Sequence, residues 1–335
     1  MLLSIIVPAY NVERYIERCL RSLEAQDIRQ DQYEIIVTND GSPDQTREIV
    51  EKLKLEFTNI ILINQENQGV SMARNNAIAK AQGKYIMPID PDDYVLPNTL
   101  KDALMRAEKD NLDILYLGFE IFDADGKSLW QTNYKEQSQQ IFTGVAGYFA
   151  ARGRDVRDPD RSWAILYRKS MMDHFELRYP KDVPFLEDGC FLTKVFSVAQ
   201  RVGFSNNPFH QRTTSEGSAT VSGVYYSEKA AEGFLKAAAD IRTFGKKHIF
   251  TPQQHGLINH GIANFVLLAI FPMIALKSAR IFTVMKKIRT FGFLKLETNG
   301  VVEPYLKFAR YFNVSPYFLL LMYTKEMAFK KLFHD

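Results

Sequence analysis

Three carboxylates stand within four residues at Asp90-Pro91-Asp92-Asp93, directly after the apolar run Lys84–Ile89. Groups of one sign packed that closely repel unless a cation lies among them, and hard oxygen ligands select magnesium or manganese. A cation so held can bridge to a diphosphate and balance its charge. The plainer alternative is that Asp92 and Asp93 form a turn and cap the following helix, since aspartate is common at both. Other residues that trail apolar runs favour the first reading. Pro8-Ala9-Tyr10-Asn11, Asn39-Asp40-Gly41-Ser42 and Asn67-Gln68-Gly69 bring aromatic, amide, glycine and carboxylate groups to comparable positions. His210 can serve as a further metal ligand or phosphate contact, although a lone histidine at a strand end is more often structural.

These positions imply a common scaffold. Ser4–Pro8, Tyr33–Thr38, Asn59–Asn64 and Lys84–Ile89 are short runs rich in Ile and Val, as expected of strands covered on both faces. Helical patterns lie between them. Asn11 is placed to cap a helix on which Ile16, Leu20 and Leu23 recur; Ser42-Pro43-Asp44-Gln45 reads as a capping box; Val70–Ala81 ends before Gly83, a C-cap residue. Strand and helix in alternation predict an α/β fold with a parallel sheet and right-handed crossovers. In such a sheet ligands bind beyond the carboxyl ends of the strands, where the residues above fall. A helix over Asn98–Asp110, a strand over Asp113–Phe122 and a turn at Asp123-Ala124-Asp125-Gly126 follow. Residues 123–225 read as an α+β continuation with a helix from about Asp188, and the chain from 226 as mainly helical. The expected division is thus a domain at 1–225 and a helical region at 226–335.

The chain has 335 residues, with 46% hydrophobic and 24% charged side chains, which excludes wholesale disorder and a disulfide miniprotein. Two cysteines, Cys19 and Cys190, match no metal or redox spacing. Cys19 shares a helix face with Ile16 and Leu20 and is expected in the core; nothing near Cys190 argues for a reactive thiol. Trp163 falls in an apolar, strand-like segment where it can contact acceptor, with core packing the plainer reading. Neither Gly-x-Gly-x-x-Gly nor the P-loop pattern follows any strand, so phosphates must be held by other means. No basic region precedes Leu2–Val7 and Pro8 ends that run, which reads as a strand and not a secretory signal. A cytoplasmic location is expected.

Charge is uneven. Residues 242–335 carry 14 Lys and Arg against 4 Asp and Glu, while the rest of the chain is net acidic. Leu257–Leu276 is an uncharged stretch of 20 residues, interrupted by Asn259, His260, Asn264 and Pro272, which points to a buried or interfacial helix over a spanning one. Lys277, Arg280, Lys286, Lys287 and Arg289 follow without an intervening acid, and a second aromatic and basic segment runs over Pro316–Phe333. An anionic membrane surface is the partner this pattern suggests, with a solvated charged face as the alternative. Nucleic acid is disfavoured, because no binding motif accompanies the charge.

Taken together, Ser-Ile-Ile-Val-Pro-Ala-Tyr-Asn at 4–11, Ile-Ile-Val-Thr-Asn-Asp-Gly-Ser at 35–42, Asn-Gln-Gly-Val-Ser-Met-Ala-Arg-Asn at 67–75, Asp-Pro-Asp-Asp at 90–93 and Leu-Glu-Asp at 186–188 resemble the family 2 glycosyltransferases over roughly 1–220. The resemblance implies a GT-A fold, a nucleotide-sugar donor, a divalent cation (Mn2+ or Mg2+) and inversion at the anomeric carbon. It assigns Pro8, Ala9 and Tyr10 to the nucleoside pocket, with Tyr10 against the base, and Asp40 to a base N–H. Asn39 departs from the Asp-Asp pair usual there. Arg74 matches the donor-contacting arginine, whose charge offsets diphosphate. Asp90 and Asp92 form the Asp-x-Asp element, Asp92 on the metal and Asp90 at the ribose or the metal shell, while Asp93 supports the next turn. Asp188 matches the base that takes the acceptor's proton, with Glu187 as substitute and a helix cap as the plain alternative. The segment Gln211–Thr220, with Arg212, Ser215 and Ser218, resembles a loop that closes over the donor.

The function expected is transfer of a sugar, from UDP as the first-choice nucleotide, to a glycan or lipid-linked acceptor in surface polysaccharide synthesis. Two rivals remain: a sugar-nucleotide-binding or membrane-recruiting partner without turnover, which Asn39 favours, and a phosphatase, which Tyr94 disfavours by standing where a threonine or valine belongs.

Overall fold

The computed structural model describes residues 1–123, 126–152, 161–213, 227–248, 250–275 and 280–333. Ala124 and Asp125 of the expected turn, residues 214–220 of the expected loop with Ser215 and Ser218, and Lys277 lie outside the described residues. The chain divides into two compact units: Met1–Lys181 with Val198–Glu216, and Asp182–Ser197 with Gly217–Asp335. The helix expected near Asp188 thus falls in the second unit.

The first unit is built on one sheet. Its strands are β1 (Leu3–Ala9), β2 (Tyr33–Asn39), β3 (Ile60–Asn64), β4 (Tyr85–Pro88), β5 (Tyr94–Val95), β6 (Ile114–Phe122), β7 (Ser128–Gln131), β8 (Ile165–Arg168) and β9 (Val202–Thr213), in the order β3-β2-β1-β4-β8-β6-β9-β5 with β7 on β6. Between them run α1 (Ile16–Glu24), α2 (Thr46–Glu56), α3 (Val70–Lys80), α4 (Leu100–Lys109), α5 (Gly144–Ala151) and α6 (Lys169–His174). β1 to β4 pair in parallel, as the alternation of strand and helix demands. Beyond β4 the sheet is mixed: β8 is antiparallel to β4 and β6, and β5 to β9. Strict alternation of strand and helix ends there, and connections without a crossover helix allow strands to reverse.

Every residue of β1, β2 and β4 is buried, as Ile- and Val-rich runs between helical layers require. β3 departs from that expectation. It is the edge strand, and Ile61 and Asn64 are exposed.

Helix boundaries also move. α1 begins at Ile16, and Asn11 sits at φ 55°, in the left-handed region, instead of capping it. Ser42 does not cap α2, which begins four residues later at Thr46; the Asp44 carboxylate accepts from Thr46 N at 3.2 Å and from Glu13 N at 2.9 Å. α3 is closed by Ala81, whose N–H donates to Ala77 O. Gly83 is required for a different reason: a Cβ there would lie 2.4 Å from Ser4 N, inside the β1 backbone.

Trp163 packs edge-on against Phe119 at 4.9 Å in the core. Beside it Arg161 is fully buried. Its Nη1 donates to Trp163 O at 2.7 Å and its Nη2 to Leu117 O at 2.8 Å, and the guanidinium lies 4.7 to 5.1 Å from the rings of Phe119, Trp163 and Tyr116. Carbonyl acceptors and ring faces thus solvate a charge that water cannot reach.

The second unit is helical: α7 (Glu187–Val198), α8 (Glu228–Lys247), α9 (Pro252–Ala275), α10 (Ile281–Thr290), α11 (Tyr305–Val314) and α12 (Pro316–Phe333). Gly261 lets α9 approach α7, since a Cβ there would meet Thr193 Cγ2 at 2.6 Å. Lys194 on α7, nearly buried, pairs with Asp240 on α8 at 2.5 Å. By length and composition α9 is long enough to cross a membrane, but 67% of its most apolar stretch is buried, in keeping with a packed helix. The basic segment after it is not without acids in space. Lys287 pairs with Glu232 at 2.6 Å and Arg280 with Glu228 at 3.9 Å, both acids contributed by α8. The expected run of unbalanced positive charge is corrected to that extent.

Candidate functional site

β1, β2 and β3 end level with one another, Ala9 opposite Asn39 and Asn39 opposite Asn64. β4 pairs Ile6 with Pro88, and Ile89 N donates to Ile6 O at 3.0 Å, so Asp90 leaves the sheet at the same edge. Tyr10, Asp40, Gln65 and Asp90 therefore emerge side by side where the strand order turns back on itself, the place at which open sheets bind ligands. Pro8 and Ala9 are buried, so what this strand end presents to solvent is Tyr10, 50% exposed.

Asp40 organises the neighbouring loop. Its Oδ1 accepts from Gln65 Nε2 at 2.7 Å and Gln68 N at 2.8 Å, and its Oδ2 from Gly69 N at 2.8 Å. A carboxylate offers about four lone-pair directions, so one remains at Oδ2 for a ligand N–H. Gly69 sits at φ 85°, which only glycine adopts without strain, and from it α3 starts. Asn39 ties two strand ends together. Its Nδ2 donates to Asn64 Oδ1 at 3.0 Å, and its Oδ1 accepts from Ser42 N at 3.1 Å. Asn39, the departure from Asp-Asp, thus serves as donor and acceptor between the ends of β2, β3 and the loop at Ser42.

Arg74, 3% exposed, emerges from α3 and places Nη2 2.9 Å from Asp90 Oδ1, with its guanidinium 5.0 Å from the Tyr179 ring. Asp92 is half-buried, and its carbonyl accepts from Arg18 Nη2 at 2.7 Å. Burial and, after it, the charges of Asp93, Asp92 and Asp90 push the Cys19 thiol far up, so this cysteine is inert. Asp93 N donates to Asp90 O, closing the turn, and its carboxylate turns inward to His210 Nε2 at 2.7 Å. His210 is wholly buried and stacks on Trp163 at 4.3 Å. It presents no face to a ligand, which corrects the expectation of a metal or phosphate contact. Arg212, two residues along β9, is half-buried, its Cζ 6.0 Å from the Trp163 ring.

Glu187 and Asp188 belong to the second unit, both half-buried in the first turn of α7. Asp188 is inside the helix and is not its cap residue. In the same unit burial raises the Cys190 thiol well above its ordinary range.

Several site residues escape sequence reasoning. Asn75 holds Tyr179 by both backbone groups, Nδ2 to Tyr179 O at 3.0 Å and Tyr179 N to Oδ1 at 2.8 Å. Tyr179 OH reaches Ser162 Oγ at 2.8 Å, and Asn76 Nδ2 reaches Gln65 Oε1 at 2.6 Å. The amides at 75 and 76 next to Arg74 are the only signal, and partners 104 residues away carry none. Asn75→Ala should lower stability by about 1–3 kcal/mol, because two buried backbone groups lose their partners. A urea midpoint equal to wild type would show that the clamp contributes nothing.

A sequence model of the family described as "Glycosyl transferase family 2" matches residues 4–175. The uncharacterized glycosyltransferase EpsJ of Bacillus subtilis (strain 168) is 35% identical over 201 residues, 60% of this chain and 58% of its own. The poly(ribitol-phosphate) beta-N-acetylglucosaminyltransferase TarS of Staphylococcus aureus (strain Mu50) is 28% identical over 219 residues, 65% of this chain and 36% of its own. The chain therefore matches little more than half of one relative's length and about a third of the other's. Among solved structures, S. aureus TarS 1–349 in complex with UDP-GlcNAc superposes with a TM-score of 0.72 at 23% identity, covering 97% of this chain and 92% of that one. The mannosyltransferase PcManGT of Pyrobaculum calidifontis, in complex with GDP-Man and Mn2+, gives 0.52 at 16% identity, with 99% and 87% covered.

Proposed function

The chain belongs to glycosyltransferase family 2 and has its GT-A fold, and from that premise we propose that it transfers a sugar from a nucleotide-diphosphate donor to a hydroxyl of a glycan or lipid-linked acceptor, with inversion. UDP is the proposed nucleotide and surface polysaccharide synthesis the proposed setting. The observation that carries this reading is the single sheet edge from which Tyr10, Asp40, the Arg74–Asp90 pair and Asp92 emerge together.

The roles follow from the chemistry of each group. Tyr10 offers an exposed ring to the base, and Asp40 keeps one acceptor direction for a base N–H. Arg74 fixes Asp90 by its 2.9 Å ion pair and brings positive charge toward a diphosphate. The residues suit a divalent cation of the kind that binds through one or two carboxylates plus substrate phosphates. No cluster of three or more ligating side chains is found among the described residues, and the proposed donors are Asp92 with Asp90, Asp93 facing His210. A cation held by Asp92 and Asp90 would offset charge on the departing diphosphate. Asp188 takes the proton from the acceptor hydroxyl; that oxygen attacks the anomeric carbon, the bond from carbon to the diphosphate oxygen breaks, and the nucleotide diphosphate leaves with the electron pair. Glu187 is the substitute base, and Arg212 a candidate phosphate contact. Residues 1–225 are the proposed catalytic domain and 226–335 a helical region that meets acceptor or an anionic membrane surface, in keeping with a cytoplasmic enzyme at the inner face of that membrane.

Calorimetric titration with UDP, GDP, CDP and dTDP, with and without manganese, tests the donor link. One nucleotide is expected to bind at least about tenfold more tightly with the metal, a difference of about 1.4 kcal/mol. Failure of all four to bind would sink the reading at its first step.

A further inference from the structure

We infer that His210 is a positioning residue, resting on the donor-site reading above: through Asp93 it locks the acidic turn 90–93 to β9, in register with Arg212. Neither Asp93 nor His210 has a place among the groups that meet the donor, yet the two make a contact of a kind that is costly to build. His210 is 0% exposed and Asp93 3%, and they lie 2.7 Å apart, 117 residues from one another in sequence. Buried polar groups persist when they are satisfied and when their geometry fixes something.

What is fixed can be read from the neighbours. Asp93 is the last residue of the turn that Asp90 opens, joined to it by Asp93 N to Asp90 O at 3.3 Å. Directly after it β5 adds to β9, Tyr94 opposite Gln211 and Val95 opposite His210. The end of the turn is thus tied to β9 twice, by the backbone ladder and by the Asp93–His210 bond. β9 in turn pairs with β6, Phe119 opposite His210 and Ile121 opposite Arg212. Alternation along a strand puts His210 and Arg212 on one face. The Trp163 ring lies along that face, stacked on His210 at 4.3 Å between centroids and with Arg212 Cζ 6.0 Å from its centroid.

The ring has one hydrogen bond that orients it. With Asp93 as acceptor the shared proton sits on Nε2, and Nδ1 has no hydrogen bond among the described residues. The Trp163 face fixes the plane of the imidazole, and Asp93 fixes its rotation within that plane. Loss of this bond removes one of the ties on the turn, beside the Arg74–Asp90 pair and the Arg18 bond to Asp92 O, and so shifts how Asp92 and Asp90 are aimed while leaving the stack on Trp163 in place. The two contributions can therefore be separated by substitution. His210→Phe keeps the stack on Trp163 and removes the hydrogen bond. His210→Gln restores a donor near the Nε2 position.

The experiment is titration of UDP with and without manganese, beside steady-state kinetics and thermal unfolding, on wild type and both variants. His210→Phe should remain folded, lose about tenfold or more of the metal-dependent gain in UDP affinity, as a buried charge-assisted hydrogen bond implies, and keep its metal-free affinity. Its kcat should fall more than KM rises. His210→Gln should recover most of the gain. A folded His210→Phe with the wild-type gain overturns the inference, as does a folded His210→Gln that fails as badly as His210→Phe. Should the phenylalanine variant not fold, His210→Met, apolar and more adaptable, is judged by the same criteria. Wild-type protein that binds no nucleotide diphosphate overturns the donor reading and this inference with it; wild-type binding with an unaltered phenylalanine variant overturns this inference alone.

Discussion

Asp188→Asn should lower kcat by about 10²–10⁴-fold, the usual worth of a positioned general base, and leave UDP affinity within about a factor of two. The asymmetry is what identifies the role. An asparagine fills the same volume in the first turn of α7 and keeps hydrogen-bonding capacity, so the helix start should survive. It cannot accept a proton from an acceptor hydroxyl. Loss of rate without loss of donor affinity therefore separates a base from a residue that holds the donor or the fold. Initial rates at saturating donor, with calorimetry on the same preparation, decide the matter. A variant as fast as wild type would move the role to Glu187, the adjacent carboxylate, and Glu187→Gln on the same assay would show it.

Asp92→Ala should abolish the metal-dependent part of nucleotide binding and reduce kcat by about 10²–10³-fold, since metal stabilisation of a departing oxyanion is worth several kcal/mol. Of its neighbours, Asp90 already shares its carboxylate with Arg74 at 2.9 Å and Asp93 faces His210 at 2.7 Å. With Asp92 removed, Asp90, which also pairs with Arg74, would be the one proposed cation ligand left. The readout is a titration with manganese and one without. Equal affinities in the two, matching the metal-free value of wild type, are expected. Retention of the metal effect would transfer the ligand role to Asp90 and undo the division of labour among the three acids.

The parts of this architecture that depend on local pattern were open to reading. Four apolar runs placed β1 to β4 within a residue or so, and the polar residues behind them named the edge at which Tyr10, Asp40 and Asp90 meet. Long-range partners were closed to it. Nothing in a single chain says that Asp93 faces His210, that Asn75 grips Tyr179, or that Glu232 answers Lys287. The same limit misread the caps: Asn11 and Ser42 have the right side chains, but the chain makes an extra turn before α1 and α2, where Glu13 N and Asp44 meet. Gly83 looked like a helix stop because glycine often is one, while its real constraint is a strand passing 2.4 Å from where its Cβ would be. The Ile-rich run of β3 predicts burial on both faces because it carries no sign that the strand ends the sheet.

Arg161 limits how this sequence can drift. Its guanidinium is a fork that serves Trp163 O, Ala164 O and Leu117 O while three ring faces enclose it. Lysine carries the charge but lacks the plane and the spread of donors. Methionine fills the space but takes away the donors that serve Trp163 O and Leu117 O. Each single step away from arginine therefore passes through a less stable protein, and only a coordinated exchange of several neighbours could cross the gap. Descendants of this chain should keep the residue long after their exposed loops have diverged.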